Sequence, residues 1–151
     1  MKLEPIYNLN LGSEFKGFST LEDYLTLPWP LKDKSVDLIR ADHILNKVPR
    51  ENKHFIKFMD ECWRVLKYDG QMMIAISYGM SYEFISDPLN VNPLNETTFT
   101  YFDPIEPIAG VYNYKKLKPK PWKIEHMSFK IDGLMEVILT KRRLDPSYPD
   151  D

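Results

Sequence analysis

The chain has a single cysteine, Cys62, among 151 residues, so no intramolecular disulfide can form. Cys62 falls on the apolar face of a predicted helix and reads as a buried structural thiol rather than a nucleophile. His43, His54 and His126 lie far apart, and with Cys62 buried there is no zinc-binding spacing. The six glycines form no phosphate-cradling loop, and no serine nucleophile elbow is present. No apolar run approaches the ~20 residues a membrane span needs. Met1–Pro5 shows no secretory apolar region, so the expectation is a soluble, cytoplasmic protein. A net charge of −2 and a pI of about 5.9 lack the strong basic bias of non-specific nucleic-acid binding, so nucleic acid is not indicated.

What is present is enough to fold. Hydrophobic residues make up 43% of the chain and aromatic residues 13%, which argues against disorder. The length suits one domain with a real core. The expectation is a single domain over 1–144 and a disordered tail over 145–151.

The pattern changes along the chain. Asn8 to Gly12 alternates and stops at glycine, as a short strand does. Gly17 to Glu22 is a candidate second strand. Val36 to Ala41 reads as apolar on successive residues, suited to a parallel strand covered on both faces. Glu51 to Lys67 is the clearest helix, with Phe55, Phe58, Met59, Cys62, Val65 and Leu66 recurring on one face. Pro49 precedes it, Glu51 lies in its first turn, and Asp69-Gly70 stops it. Gln71 to Tyr78 is a buried strand.

From Gly79 to Pro121 the chain reads as loop, with six prolines (Pro88, Pro93, Pro104, Pro107, Pro119 and Pro121). Within it Asn95 caps a short helix reaching Phe102. Trp122 to Ile131 and Leu134 to Lys141, joined by Asp132-Gly133, form a hairpin. The basic run Lys115 to Lys120 reads as a solvated loop, with a phosphate or substrate contact as the alternative.

The order of these elements carries a resemblance. Leu27-Pro28-Trp29-Pro30-Leu31-Lys32-Asp33-Lys34-Ser35-Val36-Asp37-Leu38-Ile39 leads into a helix ending in Arg64-Val65-Leu66-Lys67-Tyr68-Asp69-Gly70 and then an apolar strand. This resembles the middle of a class I S-adenosylmethionine (SAM) dependent methyltransferase, type 11-like. There the chain runs "D-x-x-x-LPF-x-D-x-S-F-D-x-I" and later "R-V-L-K-P-G-G". Asp87-Pro88-Leu89-Asn90 followed by Thr98-Phe99-Thr100-Tyr101-Phe102 is similar to the "D-P-T-H … T-F-x-Y-F" of a subgroup that includes short bacterial and phage-encoded members. The likeness covers roughly residues 8–141. It implies an α/β fold: an abbreviated Rossmann-like methyltransferase sheet, mostly parallel, with a C-terminal antiparallel hairpin. It also implies SAM as cofactor and an unidentified methyl acceptor.

Departures from the family pattern fall in the cofactor half. The family loop "L-D-L-G-C-G-x-G" is here Leu9-Asn10-Leu11-Gly12-Ser13-Glu14-Phe15-Lys16-Gly17. Glycine there lets the cofactor approach the backbone; here one glycine matches, and the second and third are replaced by Glu14 and Phe15 or displaced to Gly17. Only 15 residues separate Gly12 from Leu27, whereas a βαβ unit takes roughly 30. At least one strand–helix pair is therefore missing. The family's Glu-His after the fourth strand is Asn46-Lys47, and the His of "D-P-T-H" is Asn90.

The resemblance assigns cofactor contacts to Gly12, Ser13, Glu22, Asp23, Pro28, Trp29 and Ala41. Glu22 is the candidate for the ribose hydroxyls, since a carboxylate accepts two hydrogen bonds from a diol. Asp23 is the candidate near the adenine amino group. The alternative is that both acids cap a turn.

In an open α/β sheet the reacting groups sit at the carboxyl ends of the strands. Those residues here are Gly12, Ser13, Asp42, His43, Tyr78 and Tyr82. His43 is a candidate base, with a packed helix-start ring as the alternative. Asp42 is a candidate catalytic acid or an N-cap. Tyr78 is a third catalytic candidate, and Tyr78 and Tyr82 are otherwise pocket walls or half-buried packing. Asn90 and Asn92 serve turns.

Two functions follow as expectations. One is a small SAM-dependent methyltransferase. The other is a catalytically inactive homologue acting as a binding or assembly subunit. A missing βα unit uncovers a sheet edge, so a homo-oligomer or a protein partner is expected there.

Overall fold

The helix that follows Pro49 shows how the sequence pattern meets tertiary constraint. A computed structural model describes residues 8–11, 21–105, 119–130 and 132–143. In it Phe55, Phe58, Met59, Cys62 and Val65 are all buried on one side of helix His54–Val65, as their spacing requires. We number the helices Leu21–Leu25 (α1), His54–Val65 (α2), Tyr82–Ser86 (α3) and Glu96–Thr100 (α4). The strands are Asn8–Leu11 (β1), Val36–Asp42 (β2), Leu66–Ser77 (β3), Trp122–Phe129 (β4) and Leu134–Lys141 (β5).

Helix α2 is shorter at both ends than the periodicity suggests. Asn52 and Lys53 adopt φ of 54° and 59°, so the helix starts only at His54. At the other end Leu66 turns extended and pairs with Val36, ending the helix before Asp69. Asp69 (φ 64°) then bulges the chain, and regular pairing of β2 with β3 resumes at Leu38 and Gln71. Gly70 is required in this bulge. A Cβ there would meet the Lys67 carbonyl oxygen at 2.7 Å and that of Asp37 at 3.1 Å.

The sheet runs β1-β2-β3-β5-β4. β1, β2 and β3 are parallel, and β5 and β4 close the sheet as an antiparallel hairpin. This is the expected α/β order, with parallel strands near 8–12, 36–41 and 71–78 and a hairpin over 122–141. Asp132 Oδ1 accepts the Leu134 N–H at 3.2 Å, and Gly133 takes φ 84° in that turn.

Three expectations are corrected. Where a second strand was expected over 17–22, residues 21 and 22 open α1; residues 17–20 lie outside those described. The span 79–121 contains α3 as well as the foreseen α4, because Ser81 Oγ accepts the Phe84 N–H at 3.2 Å and caps it. Strand β2 is covered on one face only. Ile39 and Ala41 are fully buried, whereas Arg40 and Asp42 are exposed. The same alternation runs through β3 and β5, with Met72, Ile74, Val137 and Leu139 buried and Met73, Ala75, Glu136 and Ile138 half-buried.

The physical reason lies in the crossovers. Right-handed β–α–β connections from β1 to β2 and from β2 to β3 carry α1 and α2 to the same side of the sheet. Tyr24, Trp29 and Phe58 accordingly share one core, with the Trp29 and Phe58 rings edge-to-face at 5.5 Å. Among the described residues no helix is long and apolar enough to cross a membrane. The expected tail over 145–151 lies outside the described residues.

Burial raises the Cys62 thiol well above its ordinary range, consistent with a structural role. Lys141 is the unusual core residue. Its side chain is buried, its Nζ donates to the Leu66 carbonyl at 2.6 Å, and it lies 4.0 Å from the Trp63 ring centroid. Burial, with nearby Lys34 adding repulsion, pushes its ammonium down to about 8 from 10.5. Between those values the unfolded chain holds a proton that the folded chain does not. Stability should therefore rise with pH across this window and stay flat below it, by at most about 3 kcal/mol. Urea unfolding at a series of pH values checks this against Lys141→Met. The rise should vanish in the variant, and an identical profile in both proteins would refute the assignment.

Candidate active site at the carboxyl edge of the sheet

The pairing register brings Leu11, Ala41 and Ile74 side by side near the carboxyl ends of the parallel strands. Beyond Ala41, β2 continues to Asp42, and the chain then leaves the sheet at His43. His43 adopts φ 59° while its N–H donates to the Ala75 carbonyl at 2.7 Å. Both Asp42 and His43 are exposed at this rim. Asp42 faces the Arg40 guanidinium at 3.5 Å, also in solvent, so the pair is worth little to stability. Lys47 Nζ donates to the His43 carbonyl at 3.0 Å, bracing the turn.

Beneath the rim lies a buried polar latch that sequence reading missed. Asn46 is 1% exposed. Its Nδ2 donates to the carbonyls of Ser77 and Asn92, both at 3.1 Å, and its Oδ1 accepts the Ser77 N–H at 2.8 Å. The Asn46 carbonyl accepts the N–H groups of Val91 and Asn92 at 2.8 and 2.9 Å. Asn92, fully buried, returns a bond from its Nδ2 to the Leu45 carbonyl at 3.1 Å. Arg50 then donates to Asn92 Oδ1 and to the Pro93 carbonyl. Loop 90–94 is thus pinned to the end of β3, and a bridge between Tyr78 and Leu94 extends the contact. The departure from the family pattern at Asn46 was visible in the sequence, but its partners were not. Asn92 is part of this latch rather than a simple turn residue. Asn90 does serve a turn, with its Nδ2 on the Phe84 carbonyl at 3.1 Å.

The other candidates scatter. Ala41 is fully buried on the α2 side of β2. Glu22 is exposed and Asp23 half-buried in the first turn of α1. Tyr78 stands over the hairpin, its ring edge-to-face with Phe129 at 5.7 Å. Tyr82 is 80% exposed on α3, within an apolar stretch that also bares Met80, Ile85 and Leu89. Gly12 and Ser13 lie outside the described residues.

Pro28 and Trp29 are placed away from this edge. Helix α2 leaves the carboxyl end of β2 and returns to the start of β3, so its last turns lie at the amino edge. Trp29 packs there: its N–H donates to Glu61, its carbonyl accepts from Arg64 at 3.1 Å, and its Nε1 donates to the Tyr24 carbonyl at 3.0 Å. The Leu27–Pro28 peptide bond preceding it is cis. The structure therefore gathers Ala41, Asp42 and His43 at the carboxyl edge and leaves Pro28 and Trp29 at the opposite one.

No protein-family model and no curated protein matches the chain. Solved structures do. A SAM-dependent methyltransferase from Methanosarcina mazei superposes with a TM-score of 0.52 at 14% identity, covering 80% of this chain and 65% of its own. A chain of the complex between the Haloferax volcanii Trm112 methyltransferase activator and a protein described as a methyltransferase superposes with a TM-score of 0.54 at 11% identity, covering 82% of this chain and 60% of its own. This chain has the class I methyltransferase fold. It spans less than two thirds of the length of both structures.

Proposed function

We propose that the protein transfers a methyl group from SAM to an acceptor that the carboxyl edge of β1–β3 receives. The observation that carries this reading is the parallel β1–β2–β3 core with its antiparallel closing hairpin, which leaves Asp42 and His43 exposed at the carboxyl end of β2. Ligands of open α/β sheets bind at that edge. The exposed Asp42 carboxylate suits the nucleoside half of the cofactor, since a carboxylate can accept two hydrogen bonds from a diol.

When bound, SAM supplies an electrophilic methyl group. The chain's own part is to align the acceptor, exclude water and accept a proton. His43 would take that proton, because it is exposed at the rim and an imidazole nitrogen can accept one. Asp42 would orient the acceptor or the ribose, and Tyr78 would form the hairpin-side wall.

Calorimetric titration with SAM and S-adenosylhomocysteine tests the cofactor assignment. Saturable binding is expected, together with a rise in melting temperature as ligand exceeds its dissociation constant. No heat and no thermal shift at millimolar ligand would end this reading.

We further propose that the open side of the sheet, beyond β1, takes a second copy or a protein partner. The exposed Asn8 and Asn10 of the edge strand β1 support it. Light scattering should then give a mass above the 17.9 kDa of one chain. A monodisperse monomer would count against self-association.

A further inference from the structure

A groove of about 500 Å³ opens between the first turn of α2 and α4, and neither Ala41, Asp42 nor His43 lines it. Its floor is apolar: Phe55, Ile56 and Phe102, with the Phe55 and Phe102 rings edge-to-face at 5.6 Å. Thr97, Thr98 and Tyr101 of α4 and its C-cap form one wall. Arg50 and Lys53 stand on the rim. This volume, with an aromatic floor and a few convergent polar groups, is the usual make-up of a small-molecule site.

The charge on the rim is of one sign. Arg50 spends Nε–H and one Nη2–H on Asn92 and Pro93, which holds the guanidinium in place and leaves other N–H donors available. Lys53 is exposed and makes no ion pair among the described residues. It is also the N-cap of α2, with no side-chain cap bond, and its φ of 59° is a left-handed geometry that lysine adopts at a cost. Glu51 and Glu96, the acids nearest in sequence on these elements, do not line the groove.

We propose that this groove binds a small molecule consisting of a planar apolar ring with an attached anionic group. The ring lies on Phe55 and Phe102 beside Tyr101, and the anion meets Arg50 and Lys53. The site is independent of the methyl-transfer reading.

The test is amide NMR on the full chain titrated with 2-naphthalenesulfonate, and in parallel with 2-naphthol, which has the same ring but is neutral at pH 7. Saturable binding is expected, with shifts confined to residues 50–56 and 95–102, and about tenfold weaker binding of 2-naphthol. Phenyl phosphate and benzoate then show which anion the rim prefers. Lys53→Gly removes the ammonium and suits the backbone angle, so it should weaken the sulfonate several-fold without lowering the melting temperature. Equal affinity for 2-naphthol, shifts at residues 80–91 or at the carboxyl edge, or no saturation by any of the three anions would overturn the proposal.

Discussion

Arg64→Ala is expected to destabilise the protein by about 3 kcal/mol, a fall in melting temperature of roughly 10 °C. Arg64 joins α2 to the turn that launches β2. Its Nε and Nη2 grip the two oxygens of Glu61 at 2.6 and 3.0 Å. Its Nη1 donates to the Leu31 carbonyl and to Asp33 Oδ1, both at 2.7 Å, and Nη2 also reaches the Trp29 carbonyl. The Glu61 side chain is 8% exposed, so removing Arg64 strands a buried carboxylate. That stranded charge, more than the lost attraction, sets the size of the effect. Arg64 itself is 29% exposed, which places the estimate at the low end of the range for buried pairs. A second substitution separates the two causes. Glu61→Gln in the Arg64→Ala background should recover part of the loss, because the buried group is then neutral. Denaturant unfolding of the single and double variants decides the matter. A loss under about 1 kcal/mol in Arg64→Ala would show that the pair behaves as a surface contact.

Asn46→Ala should cost a comparable amount, again about 3 kcal/mol, by a different route. All three side-chain bonds of Asn46 go to main-chain groups of Ser77 and Asn92. Alanine leaves those groups buried and unpaired, and loop 90–94 loses its tie to β3. Asn46→Asp should be worse despite equal size. A carboxylate cannot donate, so it would face the Ser77 and Asn92 carbonyls with no bond to offer. Hydrogen exchange locates the damage. The amides of Ser77, Val91 and Asn92 should lose protection well before those in the middle of β3 and β5. Uniform loss of protection would mean that Asn46 acts on global stability and is no latch for the loop.

These two residues also mark where sequence reasoning stopped. Helix α2, strand β2 and the hairpin β4–β5 were legible because each is written in local period or in a turn pair such as Asp132-Gly133. The cap of α4 was legible for the same reason: Asn95 Oδ1 accepts the Thr98 N–H at 3.0 Å, three residues on. Asn46 bonds to residues 31 and 46 positions away, and no local pattern encodes that. The uncovered sheet face was hidden as well. The near-continuous apolar reading of 36–41 suggested two covered faces, but Arg40 and Asp42 face solvent. Pro28 and Trp29 were grouped with the cofactor residues through a motif, whereas Glu61 and Arg64 hold Trp29 at the amino edge.

The sequence by itself determined the parallel strands β1–β3, helix α2, the β4–β5 hairpin and, with one cysteine, the exclusion of an intramolecular disulfide. Those properties depend on residue type and near-neighbour spacing. Tertiary structure decided which edge each candidate residue reaches, which sheet face stays open, and how Asn46, Asn92 and Arg50 meet. These depend on the direction of each crossover and on hydrogen-bonding groups brought together from distant parts of the chain, which must be paired once water is excluded.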